Sequence, residues 1–140
     1  MYGPGWRHRL CAAPLAPDAT TELAVVRKPY VARTLEYYRS TDDGLEIRAT
    51  RTGYATHTYG SRNLDQAVAA DVDADGQTEL LVPTTARTSL TAVRRVAGGT
   101  EPAGSLSLNA PLTTNVVGVE VDGRIAAGAG TPDGVRIWAG

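Results

Sequence analysis

Aromatic and sulfur-containing side chains are scarce in this chain of 140 residues, which has no phenylalanine, one methionine and one cysteine. Because Cys11 is alone, a single chain can form neither an internal disulfide nor a cysteine-based zinc site. Cys11 lies in the short apolar run of residues 10–13, which indicates a small buried side chain rather than a catalytic thiol.

Long apolar runs are also missing. No stretch approaches the roughly 20 apolar residues that a membrane helix needs, so we expect no membrane span. Charged residues occur early, at Arg7 and Arg9, but no long apolar region follows them. No signal peptide is therefore visible in the sequence.

Neither sign of charge dominates, since 14 basic residues stand against 15 acidic residues and no basic block occurs. A nucleic-acid partner is therefore not expected. Turn-forming residues, in contrast, are plentiful: the chain has 15 glycines and 8 prolines. So many turn positions favour short strands joined by turns, and they predict an all-β fold.

The most informative stretch is residues 67–83, where acidic side chains alternate with small residues between two apolar runs. Carboxylates stand at relative positions 1, 3, 5 and 9, and these four acidic residues are Asp71, Asp73, Asp75 and Glu79. Position 6 is Gly76, which permits a sharp turn. Calcium takes six to eight oxygen ligands, and a short loop with alternating acids can wrap around it. The spacing predicts a calcium site, with the carbonyl of Gln77 as a fifth ligand.

An EF-hand is the obvious relative of this loop, and the sequence argues against it. An EF-hand needs a bidentate glutamate at position 12 and a helix on each side. Position 12 is Val82, and residues 80–83 form a short apolar run ending in proline, which predicts a buried strand. We therefore expect the loop to connect two strands.

The pattern Asp-x-Asp-x-Asp-Gly-x-x-Glu-Leu-Leu-Val, after a small apolar run, resembles the calcium loop of the FG-GAP/VCBS-type β-propeller repeat. This repeat also builds the propeller of integrin α subunits. The family usually has aspartate at the ninth position, where this chain has Glu79, a longer side chain with the same ligand atoms. The resemblance implies a calcium-binding propeller module for adhesion or ligand binding, in an extracellular or periplasmic location.

Two other interpretations of the four acidic residues stay open. The first is a solvated acidic turn, which mutual repulsion of four carboxylates without a cation disfavours. The second uses two of the carboxylates as general acid and base, but no apolar pocket is evident that would raise one pKa. Magnesium fits less well than calcium because it demands octahedral geometry and retains water ligands. We expect a structural ion whose binding contributes to folding.

Partial copies of the pattern occur elsewhere in the chain. Residues 18–25 align with residues 75–82 at an offset of 57, and both segments contain Thr-Glu-Leu. Two of the four acidic residues are absent from this copy, so we expect it to bind metal weakly or not at all. A third copy, residues 117–127, has an Asp-Gly pair between two apolar runs, which predicts a hairpin.

Further strand-like segments follow each copy, at residues 34–39, 45–50, 89–96, 105–108 and 134–138. Each unit therefore resembles a propeller blade of four antiparallel strands. The predicted fold is all-β, a partial β-propeller of about three four-stranded blades, in one domain over residues 1–140. The blade-like units cover about residues 6–52, 63–110 and 115–140. A helix over residues 32–39 is the competing interpretation, which we reject because its counterpart, residues 89–96, is rich in Thr and Val.

Three blades are too few for a closed ring, because propellers have roughly four to eight. We therefore expect the chain to be the C-terminal piece of a longer propeller. The other interpretation is a homo-oligomer in which two chains give about six blades.

The predicted function is a calcium-stabilised scaffold or interaction module, with a protein or carbohydrate ligand on a propeller face and no enzyme chemistry. The alternative is part of a propeller enzyme, a lyase or hydrolase that acts on polysaccharides. Its candidate residues are His57, Tyr59 and Arg62, in the longest connection between units, where an ordinary polar loop is the simpler interpretation. Ser61 lies near His57 but has no orienting acid or oxyanion motif.

Overall fold

The computed structural model describes residues 7–27, 33–56 and 65–139, which form three antiparallel sheets. The strands of the first sheet are β1 (Arg7–Ala13), β2 (Glu22–Arg27), β3 (Thr34–Thr41) and β4 (Gly44–Thr52). Those of the second sheet are β5 (Val68–Ala70), β6 (Glu79–Pro83), β7 (Ser89–Val96) and β8 (Gly99–Ser107). Those of the third sheet are β9 (Val117–Val121), β10 (Arg124–Thr131) and β11 (Gly134–Ala139).

Each sheet is a meander in which strands pair only with their neighbours along the chain. The turn between β9 and β10 shows how the sequence favours pairing of consecutive strands. Asp122 and Gly123 have φ angles of +51° and +75°, and a tight hairpin turn needs positive φ at both positions. The Asp-Gly hairpin predicted for this segment is therefore confirmed.

The all-β prediction is confirmed, since the described part of the chain contains strands and no helix. The segment with a competing helical interpretation forms β3, as its counterpart forms β7. The third sheet has three strands rather than four, and the three described sheets do not close into a ring. The propeller arrangement consequently stays a prediction.

The strand predicted at residues 105–108 is wrong in its bounds, because β8 runs from Gly99 to Ser107 and includes Pro102. A proline removes one ladder hydrogen bond, so the sequence predicts that the strand is interrupted at Pro102. However, β8 is the outer edge of its sheet, where a proline is tolerated. The register also shifts between Ala92 and Val93 on β7, opposite Pro102, and this bulge accommodates the irregular strand.

The second sheet lies between the other two, and β6 is buried on both of its faces. Leu80 and Val82 pack in a cluster with side chains of the first sheet such as Tyr37. Leu81, between them, packs in a second cluster with side chains of the third sheet such as Ala127. Alternate side chains of a strand point to opposite faces, so the continuous apolar run of β6 serves two cores. This burial fixes the position of the strand on which the acidic loop ends.

A buried ion pair joins the first two sheets. Arg95 on β7 donates hydrogen bonds from Nε and Nη2 to the two carboxylate oxygens of Glu22 on β2, at 2.9 and 3.2 Å. Its Nη1 donates to the carbonyl oxygens of Val96 and Gly99, and its guanidinium lies 5.6 Å from the centre of the Tyr37 ring. Both charged side chains are almost fully buried. Their hydrogen bonds offset the cost of removing the charges from water.

The third sheet leaves one apolar face exposed. Ala127 and Trp138 pack toward the second sheet, so the residues next to them on their strands point away from it. The side chains of this outer face have exposed fractions between 53% and 76%, and they are Val117, Val119, Val121, Val135 and Ile137. We call these five residues the outer face of the third sheet.

Candidate metal centre

The acidic loop connects β5 to β6, as the sequence predicts, and the backbone conformation tightens it. Ala70 and Glu79 are paired residues at the open end of this short antiparallel ladder. Between them, Ala74 and Gly76 have φ angles of +60° and +91°. Gly76 meets this requirement without a side-chain penalty, and the chain can therefore turn sharply within the loop.

Backbone amides of the loop orient the aspartate side chains. The carboxylate of Asp71 accepts hydrogen bonds from the amides of Asp75 and Gly76, at 3.1 and 2.8 Å. Asp73 Oδ1 accepts a weaker hydrogen bond from the amide of Asp75, at 3.3 Å. Asp75 Oδ1 accepts one from the amide of Gln77, at 2.8 Å. Aspartates that bind backbone amides a few residues ahead in this way hold a loop in a turn and fix where their other oxygens point.

The four acidic residues converge on one point. Each of them offers a carboxylate oxygen that lies within 4.8 Å of the oxygens offered by the other three. Glu79 is fully buried, and its Oε2 accepts a hydrogen bond of 2.8 Å from the amide of Val72. Asp73 and Asp75 are exposed, and Asp71 is partly buried. The group therefore has a buried floor and an open side, and it could hold a metal ion.

Arg94 is part of the site, although no local sequence pattern points to it. Its Nη2 contacts Asp73 Oδ2 and lies 2.7 Å from Asp75 Oδ2. The same atom lies 3.2 Å from Glu79 Oε1, to which Nε also donates. Because Leu80 pairs with Val93, Arg94 stands across the ladder from Glu79. The pairing register of β6 and β7 places Arg94 beside Glu79, and a predicted register for this hairpin would have identified Arg94 from the sequence.

The pKa values of the carboxyl groups show how the site balances burial against charge. Desolvation raises the pKa of Asp73, but hydrogen bonds and charge from Arg94 and the amide of Asp75 outweigh it, so the net pKa is lowered. Desolvation is also the largest influence on Glu79, and there it prevails and raises the pKa. Desolvation lowers the pKa of Arg94, and its contacts with Asp73 and Glu79 raise it overall. The amide of Val72 and the positive charge of Arg94 both lower the pKa of Glu79 and so offset part of the effect of its burial.

The loop between β1 and β2 has a similar backbone conformation. Asp18 Oδ1 accepts a hydrogen bond of 3.0 Å from the amide of Thr20, two residues ahead, as the equivalent aspartate of the acidic loop does. Ala19 has a φ angle of +62° at the position that corresponds to Gly76. The offset of 57 residues thus relates two loops that turn in the same way.

An arginine also lies beside the acids of this first loop. Arg39 on β3 has its Nη2 at 3.5 Å from Asp18 Oδ1 and at 3.7 Å from Glu22 Oε2. Leu23 pairs with Tyr38, so Arg39 stands across the ladder from Glu22 just as Arg94 does from Glu79. The expectation that this loop binds metal weakly or not at all stays a prediction.

The sequence also singles out Gln77 and the candidates for polysaccharide chemistry. The side-chain Nε2 of Gln77 donates a hydrogen bond of 2.8 Å to the carbonyl oxygen of Arg95, and the ligand role of the Gln77 carbonyl stays a prediction. The candidates for polysaccharide chemistry, His57, Tyr59, Ser61 and Arg62, lie outside the described residues.

Cys11 lies apart from the metal centre, partly buried against the core between the first two sheets. Burial, together with the negative charge of Asp65, raises the pKa of its thiol to about 11. The thiolate is the reactive form of cysteine, so this thiol is weakly nucleophilic at neutral pH.

Comparison with protein-family models, with curated proteins and with solved structures finds no significant match for this chain. The residues of the acidic loop therefore carry the family interpretation by themselves. In the part of the chain that the structure describes, no helix has the length and apolar character needed to cross a membrane.

Proposed function

We propose that this chain is a calcium-stabilised scaffold of the FG-GAP/VCBS type, whose sheets are blades of a propeller that binds a protein or carbohydrate ligand. The observation that carries the proposal is the convergence of four carboxylate groups in the loop between β5 and β6. The equivalent turn in the first sheet supports the idea of a repeated unit.

Calcium suits the geometry of these groups. Calcium–oxygen distances are 2.3–2.6 Å, so two oxygens on opposite sides of one ion are about 5 Å apart. The four oxygens meet this limit, since they lie within 4.8 Å of one another. Magnesium fits less well, because it demands near-octahedral geometry and retains water ligands. The proposed ligands are the four acidic residues and the carbonyl of Gln77.

The ion would act as a structural element. β5 has three residues and makes three residue pairs with β6, so few ladder hydrogen bonds hold it. An ion bound by Asp71 at one end of the loop and by Glu79 at the other would tie β5 to the buried β6. The binding free energy would then stabilise the fold directly.

The stacking of the sheets supports the propeller part of the proposal. Apolar clusters join the first sheet to the second and the second to the third, so each sheet covers a face of the next. Blades of a propeller bury their faces in the same way. Adhesion or ligand binding in an extracellular or periplasmic setting, where modules bind calcium with Kd values of about 10⁻⁴–10⁻³ M, follows from the family resemblance.

The deciding experiment is calorimetric titration of calcium into the metal-free full chain, with thermal melts in parallel. We expect one saturable site per chain. At calcium concentrations of about 100 times Kd, the stabilisation is about 2.7 kcal/mol, which for a chain of this length raises Tm by roughly 8 °C. Asp73→Ala should abolish both the heat of binding and the rise in Tm.

Asp42→Ala is the matched control, because Asp42 is an exposed aspartate in the turn between β3 and β4. This variant should bind calcium as the unchanged protein does. If a folded wild-type chain gives neither heat nor a change in Tm, the acidic loop is a solvated turn and the proposed function is wrong.

A further inference from the structure

We infer that the guanidinium of Arg94 is a built-in competitor of the metal ion, which must leave the four acidic residues before calcium can bind and thereby sets the affinity of the site. This inference rests on the proposed calcium site and adds to it the residue that regulates it.

One nitrogen atom of Arg94 contacts the same carboxylate oxygens that a metal ion would bind. Nη2 of Arg94 contacts Asp73 and lies 2.7 Å from Asp75 Oδ2 and 3.2 Å from Glu79 Oε1. A calcium ion bound to the same three oxygens would lie 2.3–2.6 Å from each of them. The nitrogen and the ion would then overlap, so the two positive groups cannot use these oxygens together.

The charges explain why calcium can prevail. Four ionised carboxylates carry a charge of −4, and Arg94 reduces it to −3. A divalent cation neutralises more of this charge and coordinates several oxygens at shorter distances than a guanidinium does. The exchange therefore favours the ion at sufficient calcium concentration, at the cost of breaking the Arg94 contacts.

Glu101 offers the displaced side chain another partner. It stands opposite Arg94 in the ladder between β7 and β8, and its Oε1 lies 3.7 Å from Arg94 Nη1. The Glu101 side chain is largely exposed, so an arginine that moves toward it also moves toward water. Rotation of the Arg94 side chain is sufficient, and the strand does not need to shift.

The first sheet shows the same arrangement with fewer acids. Arg39 lies beside Asp18 and Glu22 at the equivalent position, and the first loop keeps only these two carboxylates. Glu22 also pairs with Arg95, so two arginines face two acids and the net charge is zero, which gives a dication little attraction to this loop. Arginine would thus be the permanent cation of the first loop and an exchangeable one in the acidic loop.

The test is calcium titration of Arg94→Gln by calorimetry, with thermal melts of the metal-free proteins. We expect Kd to fall about tenfold, because no guanidinium has to be displaced and one positive charge is gone. The metal-free variant should melt at a lower temperature than the wild type, because its carboxylates then repel one another. Arg48→Gln is the matched control: it removes an arginine paired with Glu46 on the exposed β4, at 3.1 Å, and should change Kd by less than about twofold.

A Kd for Arg94→Gln that equals or exceeds that of the wild type would overturn the inference. In that case, calcium binding by the wild-type protein would still leave the proposed function intact. If no folded protein in the series binds calcium, the proposed function fails and the inference fails with it. Should Arg94→Gln not fold without calcium, Arg94→Lys replaces it, because a lysine keeps the charge but lacks the fork of donors. Its Kd should be lower than that of the wild type, and an unchanged or higher Kd would contradict the competition.

Discussion

At the scale of single residues, two adjacent arginines on β7 make ion pairs with different groups of acidic residues. Arg94 contacts three of the four acidic residues, whereas Arg95 contacts Glu22 of the first sheet. Adjacent residues on a strand point to opposite faces, so the Arg-Arg pair connects the second sheet to two separate acidic groups. Of these two contacts, the buried one has the larger consequence for stability.

Replacing Arg95 with methionine should destabilise the protein by about 3–5 kcal/mol, because Glu22 would remain buried without its main partner. Urea unfolding measures this loss. The double variant Glu22→Gln/Arg95→Met removes both charges and should regain more than half of it. A single variant within about 1 kcal/mol of the wild type would show that the ion pair does not join the sheets.

At the scale of elements, a glycine sets the distance between β9 and β5. A Cβ atom added to Gly118 would lie 2.5 Å from Cγ1 of Val68, which is closer than such atoms approach. Gly118→Ala should therefore push the third sheet away from the second and cost about 1–3 kcal/mol.

Gly128 provides the comparison, because a Cβ atom there would meet nothing closer than 3.7 Å. Gly128→Ala should leave the urea midpoint unchanged or raise it slightly, since alanine restricts the unfolded chain. Equal losses of stability in the two variants would show that backbone flexibility, and not the contact with Val68, governs both positions.

The acidic loop could be predicted from the sequence because its signal is local. Alternating acids and a glycine specify a turn within nine residues, and the apolar run after Glu79 specifies the strand that follows. Arg94 could not be found in this way, because its place beside Glu79 depends on how β6 and β7 pair. The bounds of β8 were wrong for a related reason: Pro102 is tolerated only because the strand lies at the sheet edge.

At the scale of the whole molecule, the sequence indicates meandering strands but not how the sheets stack. Stacking depends on which face of each strand is apolar, and β6 is apolar on both. Because β6 is apolar on both faces, it lies at the centre. Which sheet covers each face is decided by contacts between residues that are far apart in the chain. These long-range contacts are what the local sequence pattern does not encode.

The outer face of the third sheet should bind a hydrophobic fluorescent dye in the isolated chain, because five branched apolar side chains are exposed together. Val119→Lys/Ile137→Lys should lower the dye fluorescence by more than half. Leu45→Lys/Ile47→Lys makes the same change on β4, where two apolar side chains are exposed, and should have a smaller effect. Equal decreases in the two variants would contradict a distinct apolar surface on the third sheet.

The meander topology also has a consequence for synthesis. Since each strand pairs only with its neighbour along the chain, every sheet can form as soon as its last strand leaves the ribosome. The last strand of the first sheet ends at Thr52, well before Arg95 in the chain. The bond between Arg95 and Glu22, which joins residues 73 positions apart, can therefore close onto a sheet that has already formed. Until then, among the described residues of the first sheet, only Arg39 places a positive charge near Glu22.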